Sequence, residues 1–243
     1  MVRLVQVSAS YQTRRQPAAA AATAKTDLVL NNISFHIKKG ESVALIGANG
    51  AGKTSLFLAL AGILPLTHGS IFIDGVALSK RTIKTVRRKI GFVFQNPDDQ
   101  LFMSRVYDDV LFGLLNMGIA EEDAQSRAWD ALAKLGVGHL ADRSPFRLSG
   151  GEKRLCALAA TLVMDPEIVF FDEPSAFLDP KSQRMASAVI QALPFTKLIA
   201  THDLAFARTL CSRALILRSG ALVADGDPAA LFDDAGNMSL WGL

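Results

Sequence analysis

Ser42-Val43-Ala44-Leu45-Ile46-Gly47-Ala48-Asn49-Gly50-Ala51-Gly52-Lys53-Thr54 decides the fold. Residues 42–46 form a short apolar run delivered straight into a glycine-rich loop, and residues 53–61 have helical composition. Strand, loop and helix in that order are the setting in which G-x-x-x-x-G-K-[ST] holds a nucleoside triphosphate. Glycine is needed because backbone N–H groups must turn inward and approach phosphate oxygens closely, which a Cβ would obstruct. The helix that follows adds its positive N-terminal end. Lys53 supplies a point charge between the β- and γ-phosphates, and the Thr54 hydroxyl is the expected magnesium ligand.

Composition sets the outer limits. A chain of 243 residues holds one large α/β domain or two small lobes, either with a sizeable core. A net charge of +3 is too small an excess to argue for nucleic acid. Cys156 and Cys211 lie far apart without C-x-x-C spacing or a histidine cluster, so a reduced compartment is expected and a zinc site is not. The longest apolar stretches, such as residues 155–164, fall short of the ~20 residues of a membrane span. Met1-Val2-Arg3-Leu4 runs into an alternating strand instead of a signal peptide. A soluble, cytoplasmic chain is expected, with any membrane role supplied by a partner.

Outward from the phosphate loop, residues 3–8 alternate like a strand and residues 28–37 look like its return. Between them lies a low-complexity insert at residues 16–25 with five consecutive alanines, too short a tract to hold a helix in water by itself. Residues 71–78 read as a hairpin turned at Asp74-Gly75. From residue 96 to residue 147 the texture becomes helical, with an amphipathic run at 121–135 stopped by Gly136 and Gly138. Residues 168–171, 197–201 and 214–217 are short apolar runs suited to a parallel sheet covered on both faces. Arg218-Ser219-Gly220 and Asp225-Gly226 punctuate a final hairpin. No internal repeat is present.

The run Ile168-Val169-Phe170-Phe171-Asp172-Glu173 is an apolar strand ending in two carboxylates. The C-terminal end of such a strand is where open α/β sheets bind ligands. Leu148-Ser149-Gly150-Gly151-Glu152 opens a helix of residues 152–164, and a serine hydroxyl with bare glycine amides there forms an anion site. With the phosphate loop, this motif makes the chain resemble the ATP-binding cassette (ABC) ATPases, with every cassette motif in the expected order over residues 2–231.

The resemblance implies ATP and Mg2+ as cofactors and a role for each motif residue. The loop Gly47, Ala48, Asn49, Gly50, Ala51, Gly52, Lys53 and Thr54 cradles the phosphates, with Ser55 on the α-phosphate side and Tyr11 stacked on adenine. Thr54 and Asp172 hold magnesium, and Gln95 touches the metal or the attacking water. Glu173 acts as general base, and His202 of Thr201-His202-Asp203 contacts the γ-phosphate. In the family, Ser149, Gly150 and Gly151 close on ATP held by a partner subunit, and Asp179 of Ser175-Ala176-Phe177-Leu178-Asp179 bridges the two sites. Phe177 departs from the small residue commoner there. One phosphate loop and one signature per chain mean that two complete sites require a second copy of this chain.

The fold class implied is α/β: a P-loop parallel-sheet core, an antiparallel β subdomain and an inserted α-helical subdomain. The whole chain, residues 1–243, is expected to be one ABC ATPase domain. Residues 1–95 and 165–243 would form the core with the β subdomain, and residues 96–164 the helical subdomain with the signature helix.

Gln95-Asn96-Pro97-Asp98-Asp99-Gln100-Leu101-Phe102, supported by residues 107–118, resembles the energy-coupling-factor importers of bacteria. Asp98 and Asp99 beside Leu101 and Phe102 are expected to make an acidic, apolar-lined edge that receives basic helices of an integral-membrane transmembrane subunit. The importer reading adds a substrate-binding subunit and a peripheral position on the cytoplasmic face of the cell membrane. Cobalt is the favoured cargo, with nickel or biotin as alternatives. The basic run Lys80, Arg81, Lys84, Arg87, Arg88 and Lys89 is read as a solvated helix face. Its rival from another class is a non-transport cassette ATPase, acting on nucleic acid or in iron–sulfur assembly.

Overall fold

Strands β1 (Val2–Ala9) and β2 (Leu30–Ile37) alternate between buried and exposed positions over most of their length, as expected where one face is packed and the other meets water. They pair antiparallel, and β1 also pairs antiparallel with β4 (Leu66–Ile73). The Asp74-Gly75 turn leads from β4 into the short β5 (Val76–Ala77). Both turn residues have positive φ, 50° and 76°, the conformation a two-residue hairpin demands. The sheet order is β2-β1-β4-β5. The computed structural model describes residues 1–11, 28–176 and 178–242. The alanine-rich insert and Phe177 lie outside the described residues.

The second sheet is built differently. β3 (Ser42–Ile46), β6 (Ile90–Val93), β7 (Ile168–Asp172), β8 (Thr196–Thr201) and β9 (Arg213–Arg218) run parallel in the order β9-β3-β8-β7-β6. β10 (Ala221–Gly226) is added antiparallel at one edge. Its turn is made by Ser219 and Gly220, both at positive φ, whereas Asp225-Gly226, expected to punctuate the hairpin, closes β10 itself. Every residue of β7 and β8 is buried, so these strands read as unbroken apolar runs. Successive side chains still point to opposite faces. Phe170 stacks on Phe57 of α1 (Lys53–Leu60) with ring centroids 5.5 Å apart, between the two sheets. Phe171 faces the other side with Ile46, Ile199 and Phe206, under α6 (Pro180–Ala192), α7 (Leu204–Leu210), α8 (Pro228–Phe232) and α9 (Ala235–Trp241).

Between β6 and β7 the chain forms α3 (Val106–Asn116), α4 (Glu121–Lys134) and α5 (Gly150–Leu162). Gly136 takes φ 71° just past α4, ending that helix as expected. The three helices share an apolar cluster that includes Val110, Leu114, Ala128, Leu132 and Cys156. α5 belongs to both neighbourhoods, because its Leu158 packs with Val93 and Phe171 under the parallel sheet. The signature helix therefore ties the helical block to the core.

Candidate active site: a nucleotide cleft and a separate signature pocket

The loop after β3 is shaped from below. A Cβ on Gly47 would lie 2.5 Å from the Leu217 carbonyl oxygen, and Gly52 takes φ 107° with the Val29 carbonyl oxygen 3.0 Å from where its Cβ would be. Neither position accepts a side chain. Ala51 is buried in the core, and its carbonyl oxygen accepts from Gly220 N–H at 2.9 Å. Gly47 and Ala51 thus anchor the loop, while Ala48, Asn49, Gly50, Gly52, Lys53, Thr54 and Ser55 line a cleft of about 1000 Å³. No side chain caps the first turn of α1, and its residues Lys53, Thr54 and Ser55 line the cleft, the arrangement in which a helix start receives phosphate.

The opposite wall carries charge. Asp172 ends β7 and Glu173 follows with φ 45°, a conformation costing about 1–3 kcal/mol in a non-glycine residue. The strain is held in place by Glu173 N–H, which donates to the Ala200 carbonyl at 2.8 Å. Glu173 Oε1 lies 3.5 Å from Lys53 Nζ and Oε2 lies 3.0 Å from His202 Nδ1. Both its oxygens are therefore next to nitrogen atoms of the site. Lys53 Nζ also donates to the Gly47 carbonyl at 2.6 Å. Thr54 Oγ1 donates to Asp172 Oδ2 at 3.2 Å. Burial, and then the neighbouring Glu173 charge, push the Asp172 carboxyl up, against the Thr54 hydrogen bond and Lys53, which pull it down. Gln95, just beyond β6, lines the same cleft. Tyr11 is 55% exposed, yet its hydroxyl is 2.9 Å from Ser55 Oγ, so the long insert leaves the ring within reach of the phosphate loop.

Ser149, Gly150, Gly151 and Asp179 are elsewhere. Ser149 caps α5 and Asp179 caps α6, accepting from Lys181 N and Ser182 N. A pocket of about 360 Å³ between these helix starts is lined by Ser149, Gly151, Glu152, Asp179 and Lys181 among others, and shares no lining residue with the cleft. Gly150 is exposed at the start of α5. Folding thus gathers the phosphate loop, Asp172, Glu173, Gln95, His202 and Tyr11, and leaves the signature group apart.

A phosphate loop faced by a strand-end carboxylate pair, with a serine–glycine helix start kept apart, is the geometry of a cassette ATPase. The ABC transporter family profile matches residues 30–176. This chain belongs to the ABC transporter family. It is 46% identical over 203 residues to a putative ABC transporter ATP-binding protein of Geobacter sulfurreducens, covering 84% of this chain and 82% of that one. It is 42% identical to an energy-coupling factor transporter ATP-binding protein, EcfA, of Methanothermobacter thermautotrophicus, over 85% of this chain and 68% of that one. Among solved structures it is similar to cbiO1 from Clostridium perfringens, part of the ABC transporter complex cbiONQ. That match has a TM-score of 0.83 and 32% identity, covering 98% of this chain and 93% of that one. It is also similar to the ATP-binding cassette MJ0796, in a dimeric post-hydrolysis state bound to ADP and Pi, with a TM-score of 0.80 and 26% identity over 94% and 99%. This ABC ATPase binds and hydrolyses ATP as a transporter subunit.

Several residues of the cassette site carry no sequence motif. Arg154 on α5 is buried and donates to the carbonyl oxygens of Phe94 at 2.6 Å and Gln95 at 2.8 Å, and is 3.5 Å from that of Ala176. Burial holds its guanidinium below the usual range. Gln100 Nε2 donates to the Ala157 carbonyl at 2.7 Å, and lies 2.8 Å from Thr161 Oγ1. The segment carrying Gln95 is therefore tied to the signature helix by both ends of a buried face. Helical spacing alone puts Arg154 on the face of Ala157, Leu158 and Thr161, but the pattern does not say what a cation finds there. Gln183 and Asp203 also line the cleft, joined at 2.9 Å.

The expected docking edge is divided. Leu101 is buried in the helical cluster and does not line a surface, because the turn at Pro97–Asp99 rotates it inward. Phe102 is 58% exposed and meets Phe112 edge-to-face at 5.1 Å. Asp109 Oδ1 accepts from Phe102 N at 2.9 Å and Met103 N at 3.1 Å, fixing that turn. Asp98 is paired with Lys153 at 2.6 Å. The basic run is also divided: Arg87 donates to the Ala61 carbonyl at 3.0 Å, and Lys89 pairs with Asp74 and with Glu167. Among the described residues no helix is long and apolar enough to cross a membrane.

Proposed function

We propose that this chain energises an energy-coupling-factor importer of a transition-metal ion, cobalt being the favoured cargo, as an ATP-sandwich homodimer peripheral to the cytoplasmic face of the cell membrane. The observation that carries the ATPase half is the opposition of Lys53 and Thr54 to Asp172, Glu173 and His202 across one cleft. The importer half rests on the likeness to EcfA and to cbiO1, and on the exposed Phe102–Phe112 pair beside Asp98 and Asp99. An exposed apolar pair a few residues along the chain from two carboxylates suits the basic, amphipathic helix of a transmembrane subunit. The second cassette of the sandwich is a copy of this chain, as in the dimeric MJ0796. Two of the six residues of the basic run, Arg87 and Lys89, are bonded within the fold, which breaks the continuity a nucleic-acid surface would need.

In this reading Lys53 and the open amides of α1 bind the β- and γ-phosphates, Ser55 serves the α-phosphate and Tyr11 stacks on adenine. For that, Tyr11 leaves the Ser55 hydroxyl and Lys53 turns from the Gly47 carbonyl. Magnesium suits Thr54 and Asp172, with Gln95 beside them. Their oxygens adjoin, and among the described residues Asp172 forms no ion pair with a lysine or arginine, so a buried carboxylate is left for a cation. The metal, when bound, draws charge from the phosphates. Glu173 orients and deprotonates the attacking water as Lys53 moves to phosphate, and His202 holds the other carboxylate oxygen. Ser149, Gly150, Gly151 and Asp179 complete the partner's site.

Membranes from cells expressing this chain with its candidate transmembrane and substrate-binding subunits test the importer half. Energised uptake of radioactive cobalt, with this chain co-purifying with an integral-membrane subunit, is the expected result. Recovery only in soluble fractions, free of any membrane subunit, would overturn it. Uptake of nickel or biotin alone would keep the importer and change the cargo.

A further inference from the structure

The signature serine is already occupied. Ser149 N–H donates to Glu152 Oε2 at 2.8 Å, and Ser149 Oγ–H donates to that same oxygen at 2.8 Å. Glu152 N–H returns a longer bond to Ser149 Oγ at 3.4 Å, completing a capping box. A hydroxyl has one proton to give. While it is on Glu152, it is not available to an incoming phosphate oxygen. The two Ser149 donors hold the Glu152 carboxyl below the usual range, backbone first and hydroxyl second. The cations nearest in sequence are committed elsewhere, Lys153 to Asp98 and Arg154 to the Phe94 and Gln95 carbonyls. Glu152 makes no salt bridge among the described residues, and its charge lines the pocket that the partner's nucleotide would enter.

We infer that Glu152 is an internal stand-in for the partner's γ-phosphate, a carboxylate that must be displaced before the signature can close and that thereby sets the ATP affinity of the composite site. The inference rests on the proposed sharing of sites between two copies. Two physical effects point the same way. Charge-assisted hydrogen bonds are stronger than neutral ones, so Ser149 is withheld more firmly by a carboxylate than by a neutral amide. The Glu152 charge, which makes no direct salt bridge, also opposes an arriving phosphate anion, an effect weakened but not removed by its half-exposure and by Arg143 and His139, which act on it through space. ADP bound to the phosphate loop of a single protomer meets neither effect, because that cleft and the signature pocket have no residue in common.

Glu152→Gln keeps an acceptor for the cap and removes the charge. In a Glu173→Gln background, which blocks turnover, the ATP concentration giving half-maximal dimer is read by sedimentation velocity, and ADP binding by calorimetry. The dimer midpoint is expected to fall by roughly threefold to tenfold, the scale of exchanging one charged hydrogen bond for a neutral one, with ADP affinity unchanged. A merely structural cap would shift thermal stability without separating ATP-driven dimerisation from ADP binding. An unchanged midpoint, or an equal shift for ADP, would overturn the inference. A mixture of Lys53→Ala with Ser149→Arg separates this from failure of the shared-site reading. Restored activity in proven mixed dimers with an unchanged Glu152→Gln midpoint sinks Glu152 alone; no restoration sinks both.

Discussion

The nucleotide cleft and the signature pocket divide the site's labour in opposite ways. The cleft is walled by the C-terminal ends of the parallel strands and by α1, and its Lys53, Asp172 and Glu173 are buried. Each of these groups has a partner within the same protomer. The pocket is held between the starts of α5 and α6, and its Ser149 and Asp179 are exposed caps. One region fixes charges in a rigid sheet; the other offers helix-end dipoles to something that arrives from outside. On the proposed sharing of sites, a single chain is chemically armed yet incomplete until a partner closes on it.

The sharpest way to break this division is Glu173→Gln. Steady-state hydrolysis is expected to fall by roughly 10²–10⁴-fold, the scale of losing a general base. Binding survives because the phosphate contacts remain, and a closed dimer accumulates on ATP in a sizing column. Near wild-type turnover would remove Glu173 from the role of base.

A second, smaller effect is expected from Asp98→Lys with Asp99→Lys. Reversed charge beside Phe102 should weaken recovery of the membrane subunit by about tenfold or more, since like-charge contacts at an interface cost several kcal/mol. Asp98 also grips Lys153, next to the signature, so the double variant reports on the pocket as well as the surface. ADP affinity of the isolated chain, measured by calorimetry, should stay within about twofold, because the cleft lies apart; full cation uptake would cancel the docking role.

The smallest effect belongs to the scaffold. Lys197 on β8 is buried and donates to the carbonyls of Ile190 and Leu193 at 3.1 and 2.8 Å, closing the end of α6. Lys197→Met should cost about 1–3 kcal/mol by leaving those acceptors unpaired, read as a lower denaturant midpoint. ATP affinity at saturating folded protein should not change. A large loss of affinity would mean that the sheet and the cleft are less separate than their contacts imply.

Legibility followed the range of the interaction. The Asp74-Gly75 hairpin, the end of α4 at Gly136 and the strand leading into the phosphate loop were all readable, because turn chemistry and period-2 or period-3.6 patterning act over a few residues. The fates of Leu101 and Phe102 were not. Both are apolar neighbours, and only the turn before them decides that one enters the helical core and the other stays in solvent. Arg154 was hidden for the same reason, its acceptors lying about sixty residues away at Phe94 and Gln95.

By itself the sequence determined the strand–loop–helix that receives phosphate, the carboxylate pair at a buried strand's end and the membership of the ABC family. Those depend on covalently close groups whose spacing the backbone enforces. Only the tertiary structure decided that Tyr11 meets Ser55 across the long insert, that both oxygens of Glu173 are taken up by Lys53 and His202, and that Ser149 faces a pocket apart from the cleft. These are outcomes of sheet order and helix packing, in which residues far apart in the chain share one buried face, and no local pattern carries that information.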